Sequence, residues 1–182
     1  LPHVLDPASG YVYNCNHTPF LSSATEDNPK LSSVPATMGF QQPESLTNRA
    51  VRFYELFNEL DKVSYEDFKR IKYDRAYHTP LKSAPKLEPI FHLKAEKYPE
   101  IKESIELLSS WDREAVIESE AAALFNLSVS FLKRKIKNTA HFREGDKLNE
   151  ALIVEAIKYA RNYCIQYFGS AHVPLKRLQR HT

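Results

Sequence analysis

Glycine is scarce in this chain, with 4 residues among 182. Sheets joined by tight turns need glycine for backbone angles that other residues disfavour, so this scarcity argues against a turn-rich all-β fold. The two cysteines are too few for a disulfide framework. No apolar stretch has the length of a bilayer span, so a transmembrane segment is not expected.

Neither sign of charge is in large excess, because 25 Lys and Arg residues face 23 Asp and Glu residues for a net charge of +2. A balance this even does not by itself draw a protein to nucleic acid or to a membrane surface. The densest basic run, residues 133–137, is better explained as the last turn of a helix, where cations favour the macrodipole. Nucleic acid is therefore not expected as a partner, and no membrane span is expected.

Helical periodicity covers much of the chain. Capping residues and a proline indicate helix starts in the middle of the sequence, and apolar stripes indicate two longer helices in the second half. Gly169 is placed to end the last of these helices. The predicted starts and ranges are Ser45 or Thr47, Ser64, Pro99, 114–137 and 149–168. The expected fold class is therefore mainly α, with about five helices.

The N-terminal part has a different composition. Residues 18–44 hold four prolines among serine, threonine and asparagine, which predicts an irregular segment. Before it, in residues 10–16, two tyrosines alternate with Gly10 and Val12 and then lead into Asn14 and Asn16, which predicts one short strand. We therefore expect two regions, an extended segment over 1–44 and a helical domain over 45–182.

The predicted strand ends in the motif Asn14-Cys15-Asn16-His17-Thr18-Pro19. On a strand, Asn14 and Asn16 share one face while Cys15 points to the other. A carboxamide N–H2 held at a strand end is a neutral donor suited to an oxyanion. The alternative is an Asx turn that merely closes the strand, and the residues alone favour this alternative.

Three segments resemble the penicillin acylase family of N-terminal nucleophile hydrolases, which includes penicillin G, cephalosporin and acyl-homoserine-lactone acylases. The first joins Asp6-Pro7-Ala8-Ser9-Gly10-Tyr11 to the asparagine motif. The second is Asn48-Arg49-Ala50-Val51-Arg52-Phe53-Tyr54-Glu55-Leu56. The third spans residues 151–181, where Lys176 departs from the glycine usual in the family. Together the three bracket nearly the whole chain.

The resemblance implies an amidohydrolase that cleaves the amide bond of an N-acyl substrate, such as a penicillin or an acyl-homoserine lactone, in antibiotic metabolism. It places an oxyanion-hole donor on Asn16 and an arginine beside the active site on Arg49. It also makes Asp27 a candidate calcium ligand, although one carboxylate is no site, and a solvated loop residue is the default interpretation. No other cofactor is implied. The family further implies a periplasmic or secreted protein.

The nucleophile of the family is a serine at the N-terminus of the mature β chain, with its own α-amino group as base. Leu1 cannot fill that role. We therefore expect these residues to be a fragment from within a β chain, inactive alone, with the remaining segments of the α and β chains as partners. The competing hypothesis is a non-catalytic helical interaction module. Only the hydrolase hypothesis requires Asn16 and Arg49 to meet in space.

Overall fold

The structure is a computed structural model that describes residues 3–39, 47–83, 86–137 and 148–179. It is mainly helical, which confirms the predicted fold class. Six α-helices lie within these ranges: α1 (Asn48–Phe57), α2 (Tyr65–Lys72), α3 (Lys102–Ser109), α4 (Glu120–Lys137), α5 (Glu150–Phe168) and α6 (Leu175–Leu178). Short 3₁₀ turns span Pro19–Leu21, Leu31–Ser33, Ala36–Met38, Glu88–Phe91, Ala95–Lys97 and Pro99–Ile101. None of the helices in the described ranges has both the length and the apolar character of a membrane span.

The chain forms two compact units, Leu1–Tyr73 and Asp74–Thr182, called unit 1 and unit 2 below. The sequence instead predicts a domain boundary between residues 44 and 45. That division stays a prediction, and residues 40–46 around it lie outside the described residues.

Both helices of unit 1 start at capping residues. The hydroxyl oxygen of Thr47 accepts from the Ala50 N–H at 3.2 Å, so Thr47 caps α1, while the alternative Ser45 lies outside the described residues. Ser64 and Asp67 form the reciprocal capping box of α2. Each cap satisfies backbone N–H groups that have no partner within the helix. These are the helix starts that the sequence predicted.

The predicted strand over residues 10–16 is wrong. The segment is extended, and its side chains alternate between half-buried and exposed as the period-2 pattern requires. Within the described ranges, one backbone hydrogen bond joins it to a neighbouring segment, from the Tyr13 N–H to the Ser22 carbonyl at 2.9 Å. Gly10 and Asn16 both have positive φ, 75° and 55°, which turns the backbone at each end. A ladder therefore cannot propagate in either direction.

Ser23 is the polar centre of unit 1. Its side chain is fully buried, and its hydroxyl donates to the Tyr11 carbonyl at 2.7 Å. Its backbone pairs in both directions with the Asn28 carboxamide, at 2.9 Å each way. Its carbonyl also accepts from the Tyr54 hydroxyl at 2.9 Å. Ser23 therefore joins the extended segment, the following loop and α1.

Replacing Ser23 by alanine is expected to lower the free energy of unfolding by about 1–2 kcal/mol, because the Tyr11 carbonyl loses its donor. Chemical denaturation of the chain measures this change. Ser33→Ala is the matched control, since the Ser33 hydroxyl bonds to the Lys30 carbonyl at an exposed site. Equal losses in the two variants would show that burial of Ser23 contributes nothing.

The core of unit 2 is the apolar stripe predicted after Pro99. Ile101, Ile105, Leu108 and Trp111 are all buried there. The alanine run at the start of α4 is buried as well, which allows neighbouring side chains to approach the helix closely. Deeply buried residues of α4 and α5 complete this core: Leu124, Leu132, Ile153, Ala156, Ile157 and Ala160.

The two long helices differ at one boundary from the sequence prediction. Helix α4 begins at Glu120 rather than near residue 114, because the Ser119 hydroxyl accepts from the Ala122 N–H at 3.1 Å. The Ile117 carbonyl accepts instead from the Lys176 N–H at 2.8 Å. Helix α5 matches the predicted range, with Gly169 at φ 76° ending it. The basic run lies, as predicted, in the last turn of α4.

A nearly buried ion pair lies beside this core. Arg113 donates to Glu88 through two nitrogens, at 3.0 Å and 3.4 Å, and its guanidinium carbon lies 3.3 Å from the centre of the Phe91 ring. Glu88 also accepts from the Leu81 N–H at 2.7 Å. Arg113 has φ 68°, a left-handed conformation that costs a residue with a β-carbon some energy. The ion pair and the ring contact hold it there.

Candidate active site

One face of α1 carries Arg49, Phe53 and Phe57, which are spaced four residues apart. Side chains at this spacing lie on the same side of an α-helix. Tyr11 and Tyr13, two residues apart on the extended segment, likewise share a side. Phe53 stacks on Tyr13 with ring centroids 4.2 Å apart, and Phe57 lies 4.5 Å from Tyr11. These ring contacts fix α1 against the extended segment.

The same register brings Arg49 to Asn16. The guanidinium donates from Nη2 to the Asn16 Oδ1 atom at 2.6 Å. Because a guanidinium carries donors only, its partner is the carbonyl oxygen, which assigns the orientation of the carboxamide. The N–H2 group of Asn16 is then left with no hydrogen bond to any described residue, on an exposed side chain. The structure thus joins the two predicted site residues, while their catalytic roles stay predictions.

The backbone around Asn16 is held by two neighbouring side chains. The Asn16 N–H donates to the Asn14 Oδ1 atom at 2.7 Å, which is an Asx turn. The Cys15 N–H donates to the Nδ1 atom of His17 at 3.0 Å. The turn expected from the residues alone is therefore present, but Asn14 closes it. The carboxamide of Asn16 takes no part in the turn.

Arg49 is the charged group of the site, and the tyrosine and cysteine side chains next to it are neutral. Burial, with the neighbouring Tyr54 hydroxyl next, raises the pKa of Tyr11 to about 12 and that of Tyr13 further above its ordinary value. The Tyr13 hydroxyl is buried and makes no hydrogen bond to the described residues. Burial also raises the pKa of the Cys15 thiol, although the Arg49 guanidinium acts in the opposite direction. Cys15 is therefore not an activated nucleophile.

Asp27, the candidate calcium ligand, has a structural role in the described part of the chain. Its two carboxylate oxygens accept from the Ala8 and Ser9 N–H groups at 3.1 Å and 2.9 Å. Hydrogen bonds from Ser9, first through its hydroxyl and then its N–H, hold the pKa of Asp27 below its usual range. Where side chains are described, no group of three His, Cys, Asp or Glu residues is placed to hold a metal ion. The carboxylate fixes the turn that leads into the extended segment.

Two features of the site were missed in the sequence. One is the part that His17 plays in holding the backbone, which has no spacing signature. The other is the stack of tyrosines on phenylalanines beneath Arg49. A signal for the stack was available, since aromatic residues two apart on an extended segment match aromatic residues four apart on a helix.

The arrangement can do one kind of chemistry. It presents a neutral N–H2 donor on a restrained side chain, with a cation bound to the other end of the same carboxamide. Such a group stabilises negative charge that develops on a carbonyl oxygen. This geometry agrees with a comparison against family models, in which the model described as penicillin amidase matches residues 1–172. The match covers most of the chain, and the chain belongs to the penicillin amidase family.

Proposed function

We propose that this chain supplies the oxyanion donor of an amidohydrolase that cleaves the amide bond of an N-acyl substrate. Membership of the penicillin amidase family makes the chain part of a group of acylase-type hydrolases. The observation that carries the proposal is the 2.6 Å hydrogen bond from Arg49 to Asn16, which leaves the Asn16 N–H2 group directed away from the cation. Penicillins, acyl-homoserine lactones and similar N-acyl compounds are the proposed substrate class.

In the proposed step, a nucleophile attacks the carbonyl carbon and the carbonyl oxygen gains negative charge. The Asn16 N–H2 group donates to that oxygen. Arg49 withdraws electron density through Oδ1, which makes the N–H2 group a stronger donor. Because the turn and Arg49 already hold the side chain, the donor needs little reorganisation during the reaction.

The nucleophile is proposed to come from another segment of the enzyme. In the resembling family it is an N-terminal serine whose own α-amino group acts as the base. His17, the histidine next to Asn16, is not available as a base, because both of its ring nitrogens are bonded to backbone groups. The remaining segments of the α and β chains are therefore the proposed partners. A periplasmic or secreted location belongs to the same proposal.

The test measures hydrolysis of penicillin G and of a long-chain acyl-homoserine lactone by the enzyme that carries this chain. Arg49→Met is expected to lower kcat about 10-fold on whichever substrate is cleaved, because the carboxamide of Asn16 becomes free to rotate. KM is expected to stay within about twofold, since the donor acts on the developing charge and not on the bound substrate.

Arg52→Met is the matched control on the same helix. Arg52 pairs with Glu55 at 3.0 Å, whereas Arg49 is the arginine bonded to Asn16, so kcat should be unchanged. Similar losses of kcat in the two variants would contradict the role of Arg49. Absence of amide hydrolysis on a broad panel of N-acyl substrates would favour the non-catalytic interaction module.

A further inference from the structure

We propose that His17 is a positioning residue that fixes the backbone on which the Asn16 donor stands. The inference rests on the proposed function, since it concerns the same donor and the same reaction. His17 follows Asn16 directly, and its imidazole bonds to backbone groups on both sides of that residue. It touches no reacting atom itself.

The ring is bonded at both nitrogens. Nδ1 accepts from the Cys15 N–H at 3.0 Å, and Nε2 lies 2.8 Å from the Leu21 carbonyl oxygen. A backbone N–H only donates and a carbonyl only accepts, so the hydrogen must lie on Nε2 and the ring must be neutral. A phenylalanine could fill the same space but could make neither bond.

The orientation of the ring is set by packing. The imidazole lies 4.6 Å from the Tyr13 ring, and Tyr13 stacks on Phe53 of α1. Arg49 stands one turn before Phe53 on that helix. The same aromatic stack therefore positions both parts of Asn16. It holds the backbone through His17 and the side chain through Arg49.

The backbone of Asn16 needs this support. Its φ of 55° is a left-handed conformation, which asparagine tolerates better than most residues but does not require. Without the imidazole of His17, the turn keeps the hydrogen bond from the Asn16 N–H to the Asn14 Oδ1 atom at 2.7 Å. Relaxation of φ at Asn16 would swing its carboxamide away from the position where an oxyanion forms.

The first variant is His17→Phe in the enzyme that carries this chain. It keeps an aromatic ring against Tyr13 and removes both hydrogen bonds. We expect kcat to fall about 10-fold with KM within about twofold, because a displaced donor weakens binding only after charge has developed on the carbonyl oxygen. His17→Asn, which keeps an acceptor near the position of Nδ1, should recover part of the loss. His172→Phe is the control histidine, since His172 lies in unit 2 and bonds to Glu120 at 2.8 Å.

A double variant separates positioning from general stability. In the Asn16→Ala background there is no donor to position, so adding His17→Phe should lower kcat by less than about twofold further. A purely structural role would lower kcat by the same factor in both backgrounds. The inference would therefore be overturned if His17→Phe lowered kcat by the same factor with and without Asn16→Ala.

The remaining outcomes are distinct. If Asn16→Ala lowers kcat strongly and His17→Phe leaves it within about twofold, His17 is not a positioning residue and the proposed function stands. If Asn16→Ala itself has no effect, the proposed function fails and this inference fails with it. Should His17→Phe not fold, a ¹⁵N spectrum of the histidine rings in the unmodified enzyme decides. A hydrogen on Nδ1 of His17 at neutral pH would contradict the geometry proposed here.

Discussion

Replacing Asn16 by alanine in the enzyme that carries this chain is expected to lower kcat by about 10²–10³-fold, the usual cost of losing one oxyanion donor. KM should change little, because the neutral ground-state carbonyl gains far less from the donor than the transition state does. Steady-state kinetics on the N-acyl substrate that the enzyme cleaves fastest measures both constants. Of the changes considered for this site, this one removes the reacting contact itself.

Asn16→Asp sharpens the experiment. The aspartate has the same shape and can pair with Arg49, so the turn and the helix contact are retained. It presents no donor and carries a negative charge that repels an oxyanion. We expect it to lose at least as much kcat as Asn16→Ala, whereas a structural role for residue 16 predicts that it is the milder change.

Asn58→Ala is the control, because Asn58 is an exposed carboxamide at the other end of α1. Its kcat should match that of the unmodified enzyme. A kcat within about threefold of the original in Asn16→Ala, which is well under 1.4 kcal/mol of barrier, would make Asn16 a turn residue. The assignment of the site would then be wrong.

The helices were predictable because their signals are local. The caps at Thr47 and Ser64 and the stop at Gly169 each depend on neighbours within four residues, and each is observed. The strand was not predictable in the same way. Exposed and half-buried side chains do alternate over residues 10–16. A strand also needs a neighbouring segment with free backbone N–H and C=O groups, and a local sequence pattern does not show whether one is present.

The candidate site could be predicted from the sequence only in part. Asn16 and Arg49 are 33 residues apart, and their pairing follows from the register of aromatic rings rather than from any spacing in the sequence. The resemblance named the two residues without the contact between them. The hydrolase hypothesis requires the two side chains to meet, whereas the interaction module does not, and the roles of both residues stay predictions.

Arg113 shows a further limit of sequence reasoning. The sequence does not predict that Arg113 is buried, since a lone arginine after Trp111 and Asp112 is typical of a surface residue. In the structure its side chain is 11% exposed, and its partner Glu88 is 21% exposed. Partial burial of Glu88 acts to raise its pKa, but hydrogen bonds from Arg113 and from the Leu81 N–H outweigh it and hold the pKa below its usual range.

Arg113→Met is expected to lower the free energy of unfolding by about 2–4 kcal/mol at neutral pH. Breaking a fully buried pair costs about 3–5 kcal/mol, and the remaining exposure of Glu88 reduces that figure. Methionine keeps a β-carbon, so the cost of the left-handed backbone is the same in both proteins. Arg134→Met is the matched control, because Arg134 lies over the Tyr159 ring at 5.2 Å on an exposed site. Its effect should stay within about 0.5 kcal/mol.

The loss of stability in Arg113→Met is expected to depend on pH in a defined direction. Because the folded-state pKa of Glu88 lies below the ordinary value of 4.5, the ion pair contributes in full above that value and is lost as the pH falls through the folded-state pKa. The difference in unfolding free energy between the unmodified chain and Arg113→Met should therefore be largest at neutral pH and shrink in acid. Denaturation curves at pH values from neutral to about 3 measure this difference. A difference that stays constant across that range would mean that Arg113 stabilises unit 2 through its contact with Phe91 and not through the charge of Glu88.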